Sequence, residues 1–223
     1  MRKFLGFIII FCITICSVCF MGCKKDTLTP FVSELRENVY ECETEDGLIL
    51  KAFYGFREEP YSANGKIGEK VYAITFKLSG NVNQTTTYAV KLSLDGLETK
   101  KNFESSAFTG VLTLKIETES FSYKEFDALL FIGAESKSVT LKSIVPENTI
   151  DYKTALIKLE ENQPLLISSK KDENGNFTAE IYMRIIVKKG APYWYVGICE
   201  NANIKALLLD GFSGKVLAIK DVF

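Results

Sequence analysis

From about Asn38 to Val145 the chain repeats one pattern: a short run of alternating apolar and polar residues, a cluster of turn residues, then another run. In G-V-L-T-L-K-I-E-T, residues 110–118, Leu112, Leu114 and Ile116 fall on one side and Val111, Thr113, Lys115 and Glu117 on the other. Successive side chains of a strand point to opposite faces, so a chain written this way has to bury one face of a sheet. The turns are equally legible. Asp46-Gly47 and Asp95-Gly96 each separate two such runs, and Asp-Gly supplies the positive φ that a two-residue hairpin requires. About eight strands at a spacing of roughly 8–14 residues, with no helical stretch among them, predict an antiparallel β-sandwich over residues 35–146.

After Pro146 the period changes. Tyr152, Ala155, Leu156 and Leu159 recur at helical spacing, with Asp151 or Thr149 as N-cap and Asn162 and Pro164 as the stop. P-L-L-I-S-S (164–169), F-T-A-E-I-Y-M-R-I-I-V (177–187), Y-W-Y-V-G-I-C-E (193–200), N-I-K-A-L-L-L-D (203–210) and K-V-L-A-I-K-D-V-F (215–223) then read as strands. The fold class expected is mainly β, the sandwich being followed over 147–223 by a small α+β unit with one helix across an antiparallel sheet. Tyr193, Trp194 and Tyr195 form the densest aromatic stretch, and aromatic side chains are favoured at binding hot spots. Alternation puts Tyr193 and Tyr195 on one face and Trp194 on the other, so at least one face is core.

Composition excludes several functions. The chain has no histidine, which removes Ser-His-Asp and Cys-His constellations and the commonest metal ligand. It has no glycine-rich phosphate loop of the G-x-G-x-x-G or G-x-x-x-x-G-K-[ST] type. The formal net charge is −1, so no broad basic field is offered to nucleic acid. The acidic stretch Arg57-Glu58-Glu59-Pro60 reads as a polar loop and lacks the spacing of a calcium loop. No metal, cofactor or catalytic residue is expected. An enzyme would have to rely on paired carboxylates or Ser-Lys chemistry, for which no spaced motif exists.

Residues 1–22 have the plan of a secretory signal: Arg2 and Lys3, an apolar run from Phe4 to Phe20, then Met21-Gly22 before Cys23. The run approaches membrane-spanning length, so an uncleaved anchor is the alternative. The junction F-M-G-C at 20–23 resembles the lipobox of bacterial lipoproteins. That resemblance implies that Cys23 carries a diacylglyceryl group and begins the mature chain, on the extracytoplasmic face of the cell membrane. Two acyl chains suffice for stable anchoring where one does not. Residues 23–34 then read as a tether. Cys12, Cys16 and Cys19 lie in the signal, which leaves Cys42 and Cys199; they are 157 residues apart and assigned to different domains, so a disulfide between them is not expected.

The segment A-L-L-L-D-G-F-S-G-K-V-L, with Asp210 ending a strand and Gly214, Val216 and Leu217 in the return, resembles the end of PepSY-type domains. The order of helix, paired strands and hairpin over 147–223 is similar as well. The resemblance implies a small non-catalytic unit of the kind found in protease propeptides and envelope proteins, one that binds or restrains peptidases. Together these readings describe a membrane-anchored, surface-exposed lipoprotein with a protein or peptide partner. A carboxylate-dependent envelope enzyme and a solute-binding lipoprotein of a transporter are the alternatives. Replacing Cys23 by serine is expected to abolish incorporation of labelled fatty acid and to block signal processing; normal processing without any lipid label in the parent chain would exclude the anchor.

Overall fold

The computed structural model describes residues 27–60, 67–94, 96–105, 111–119, 121–200 and 203–222. Residues 1–22, read above as a signal, Cys23, read as the site of lipid attachment, and the turn residue Asp95 lie outside the described residues. Among these, the strands in chain order are β1 (Val32–Glu43), β2 (Leu48–Glu59), β3 (Glu69–Gly80), β4 (Tyr88–Leu94), β5 (Leu97–Asn102), β6 (Glu104–Ser105), β7 (Leu112–Glu117), β8 (Glu125–Ile132) and β9 (Glu135–Ser143). Helices α1 (Tyr152–Asn162) and α2 (Pro164–Ser168) follow, then β10 (Glu180–Lys188), β11 (Ala191–Glu200), β12 (Asn203–Asp210) and β13 (Val216–Val222). The protein is mainly β, with a large and predominantly antiparallel sheet.

One strand organises the pairing. β2 lies antiparallel along the full length of β1. The other edge of β1 is divided: Val32–Arg36 pairs in parallel with β10, and Tyr40–Glu41 pairs antiparallel with β9. The division falls at a bulge between Arg36 and Asn38, where the extra residue of a bulge bends and twists a strand. Asn38 secures the switch. Its Oδ1 accepts from the Val39 amide at 2.8 Å and from Ser143 Oγ at 2.7 Å, and its Nδ2 donates to the Tyr40 hydroxyl at 2.8 Å. Tyr40 in turn donates to the Tyr123 carbonyl at 2.8 Å.

Beyond β1, the sheet runs one way through β2, β3, β7 and β6, and the other way through β9, β8, β4 and β5. The two ends approach each other, Lys101 Nζ on β5 donating to the Lys115 carbonyl on β7 at 3.1 Å. The result is nearly barrel-shaped, its two halves joined through β1. Its interior is filled by Tyr40, Leu50, Phe76, Leu92, Leu130 and Leu141, all fully buried. A second core lies between α1 and the sheet β1-β10-β11-β12, and contains Leu28, Val32, Leu35, Leu156, Trp194 and Val196. Each such side chain contributes about 1.5–3 kcal/mol relative to exposure.

The sequence pattern of α1 holds: Asp151 caps it, its Oδ1 accepting from the Thr154 amide at 2.8 Å, and Ala155, Leu156 and Leu159 are buried. Three expectations need correction. Residues 28–34 are not a tether: Leu28 is 1% exposed, Thr29–Phe31 form a 3-10 turn and Val32 opens β1. Apolar residues at 28, 32 and 35 are what the second core needs from this segment, and β10 supplies its backbone partners. The stretch 164–169 is the short helix α2 and not a strand, with Pro164 in its first turn where a missing N–H costs nothing. Arg57–Glu59 belong to β2 and not to a loop.

Gly55 explains how β2 follows the bulge. A Cβ there would lie 1.8 Å from the Leu35 carbonyl oxygen, so only glycine lets the two backbones approach this closely. Gly55→Ala is expected to destabilise the protein by about 1–3 kcal/mol, read as a lower urea midpoint. Gly197→Ala would meet side chains and not backbone, the Tyr182 ring at 3.0 Å being the nearest, and should cost less.

Candidate functional site

Arginine is scarce in this chain. Of 27 basic residues 23 are lysine, and arginine occurs only at positions 2, 36, 57 and 184. Register brings the last three together. Arg36 on β1 lies opposite Arg184 on β10, Glu34 opposite Arg57 on β2, and both pairs surround the Glu34 carboxylate. Met183 and Ile185 face the second core, so alternation turns Arg184 to the face of the sheet opposite the helix.

Glu34 is 4% exposed. Arg184 grips it with both arms of the guanidinium, Nε donating to Oε1 at 2.7 Å and Nη2 to Oε2 at 2.9 Å. Arg36 Nε lies 3.0 Å from Oε1 and Arg57 Nε 3.9 Å from Oε2. Burial opposes ionisation of Glu34, but the hydrogen bonds from Arg184 and the charges of Arg36, Arg184 and Arg57 outweigh it and hold the carboxyl below its ordinary range. For Lys77 the surroundings disfavour the charged form. Burial, then the like charges of Arg36 and Arg184, lower its pKa, with Glu34 opposing them. Its ammonium lies 5.5 Å above the Phe53 ring, and the Arg36 guanidinium is 5.7 Å from the same ring.

Glu34, Arg36 and Arg57 line a cleft of about 240 Å³ that also includes Gly55, Ala73, Phe53, Val71 and Thr75. Glu59, a further carboxylate on the rim, is paired with Lys115. The chemistry on offer is therefore cationic: several fixed donors, with a half-buried aromatic ring beside them. A second cavity, about 640 Å³ and lined by Glu37, Asn38, Tyr54, Phe121, Ser122, Tyr123 and Lys124, opens near the bulge. Burial alone raises the Glu37 pKa there.

The aromatic stretch divides as alternation requires. Trp194 is 2% exposed in the second core, its Nε1 donating to the Ile150 carbonyl at 3.0 Å. Tyr193 and Tyr195 are half-buried on the opposite face, and Tyr195 lies across from Arg184. Tyr195 thus borders the arginine cluster, Tyr193 lies across from Ile186, and the tryptophan is structural. Cys42 and Cys199 are not bonded to each other and lie in strands belonging to different parts of the sheet. Among the described residues no group of His, Cys, Asp or Glu could hold a metal ion, and no helix is long and apolar enough to cross a membrane.

At the far end of the sheet, β13 pairs, among the described residues, only with β12. Phe212, Leu217, Ile219 and Val222, on this strand and the turn before it, are all more than 40% exposed or at that value. Asp210 shapes the turn, its Oδ1 accepting from the Ser213 amide and hydroxyl at 2.8 and 2.7 Å.

Comparison with family models, with curated proteins and with solved structures returned no match.

The sequence reasoning missed the arginine cluster, whose one linear signal is the rarity of arginine beside lysine. Replacing Glu34 by glutamine is expected to lower stability near neutral pH by about 3 kcal/mol, because it removes the carboxylate on which the guanidiniums converge. Since the folded state depresses the Glu34 pKa, its contribution is complete above the ordinary carboxylate range and is lost as pH falls through the lower folded-state value. Urea midpoints measured from about pH 7 to about pH 3 should therefore fall less in Glu34→Gln than in the parent.

Proposed function

We propose that this protein is an exported, lipid-anchored, non-catalytic protein of the cell envelope that holds an extended segment of a protein partner along the free edge of β13. It would be built as a β-sandwich-type module followed by a PepSY-like α+β unit. The observation that carries the reading is the character of that edge. A long strand with one side unpaired presents a row of backbone donors and acceptors, and apolar side chains beside it select and hold an added strand. Proteins usually blunt such edges with charge or proline; here Leu217, Ile219 and Val222 leave it apolar, with Lys220 and Asp221 between.

Anchoring at Cys23 fits this role. Leu28 is already buried, and five residues reach at most roughly 18 Å, so the folded body would lie close to the membrane surface. Partners within reach would be other envelope proteins, including the peptidases that PepSY-like units are thought to restrain.

The test is site-specific photo-crosslinking in cells. Crosslinkers at Leu217 and Ile219 should capture one discrete partner, which Ile219→Lys in the Leu217-crosslinker background should remove. A crosslinker at Leu129, exposed on β8, should capture nothing comparable. Equal capture at Leu129, or none at β13, would overturn the reading.

A further inference from the structure

We propose that the cleft lined by Arg36, Arg57 and Phe53, with Arg184 beside Arg36 on the neighbouring strand, is a binding site for an organic carboxylate, an anionic group carried on an apolar body. The argument starts from a surplus of positive charge. Three guanidiniums approach one carboxylate, and the Lys77 ammonium lies over the Phe53 ring. Arg184 alone satisfies Glu34 in the bidentate manner, which is all that a pin between β1 and β10 requires. Arg36 and Arg184 by themselves bring about ten N–H donors, against about four acceptor positions on Glu34.

The surplus is also aimed. The Arg36, Arg57 and Arg184 side chains are 31%, 52% and 39% exposed, whereas Glu34 beneath them is 6% exposed. The carboxylate thus acts as a buried anchor that holds guanidiniums at an open cleft, and fixed planar forks are suited to a second carboxylate. The remaining carboxylate of the cleft, Glu59, is occupied by Lys115. Holding the Arg36 and Arg184 guanidiniums side by side costs free energy in the empty protein, and an entering anion relieves that cost.

Two features favour an organic acid over a bare inorganic ion. The cleft, at about 240 Å³, has room beyond that of one charged group. Its wall beside the cations is the Phe53 ring together with Val71, which an apolar body would cover. Selection of arginine at these positions, in a chain that otherwise uses lysine, agrees with recognition of a planar anion over simple charge. The carboxylate could belong to a free organic acid or to the carboxyl terminus of a peptide.

The test uses the full chain in detergent and isothermal titration. Benzoate is compared with benzamide, and a short apolar peptide with a free carboxyl terminus with the same peptide amidated; inorganic phosphate is a further probe. The charged member of at least one pair should bind at least tenfold tighter than its neutral counterpart and tighter than phosphate. A preference confined to the peptide pair assigns the site to chain termini, and one confined to benzoate assigns it to free acids. Arg57→Gln and the charge-conserving Arg36→Lys should each weaken that binding about tenfold or more without lowering the unliganded urea midpoint as Glu34→Gln does. Lys142→Gln, on β9 in a separate pair with Glu125, should leave it unchanged. Binding equal within both pairs, phosphate binding as tight as the carboxylates, or undiminished binding in Arg57→Gln would each overturn the proposal. None of these outcomes depends on what occupies the β13 edge.

Discussion

The divided edge of β1 is the constraint on which the rest depends. A strand has two edges, and β1 gives one wholly to β2 while sharing the other between β10 and β9. That sharing lets one strand serve two cores: Leu35 belongs to the core beneath α1, and Tyr40 to the near-barrel interior. The bulge at Arg36–Asn38 separates the two assignments, and Gly55 is the sequence condition for the close approach beside it. The arginine cleft sits at the same place for the same reason. Where β10, β1 and β2 run side by side, residues 34, 36, 57 and 184 become neighbours.

Much of the β architecture was legible because it is local. Alternation in 110–118 and the Asp-Gly turns specify faces and hairpins without reference to distant residues. The helix was legible for the same reason, its cap and its apolar stripe lying within a dozen positions. The first half of the first strand, before Asn38, was not. Its bulge breaks the period, and Ser33, Glu34, Arg36 and Glu37 give it a polar surface although Ser33 and Glu34 are buried. Only the presence of β10, far along the chain, makes an extended segment there worthwhile. Residues 164–168 failed differently: three apolar positions after a proline fit a buried strand or a helical turn equally, and α1 just before them decides for the helix.

The candidate site was the least legible part. Tyr193, Trp194 and Tyr195 drew attention because they adjoin in sequence, yet adjacent residues of a strand face apart. The residues that do converge are separated by up to 150 positions. No spacing rule links them, and only parallel pairing of β1 with β10 makes them a group. Composition held a trace of it, since a residue type used sparingly and then gathered at one carboxylate is unlike a scatter of surface charge.

The parallel pairing of β1 with β10 also bears on the order in which the protein can be assembled. A chain emerges from its N-terminus, so β1 is available first and β10 follows after almost 150 further residues, roughly 8 to 30 s of synthesis. Until then the Val32–Arg36 edge has its β2 neighbour but no second one, and Glu34 lacks the guanidinium that grips it most fully. Closing so distant a contact is slow, and a waiting edge invites pairing with whatever strand is near. The strand next to the proposed anchor is thus the first to be made and among the last to be completed.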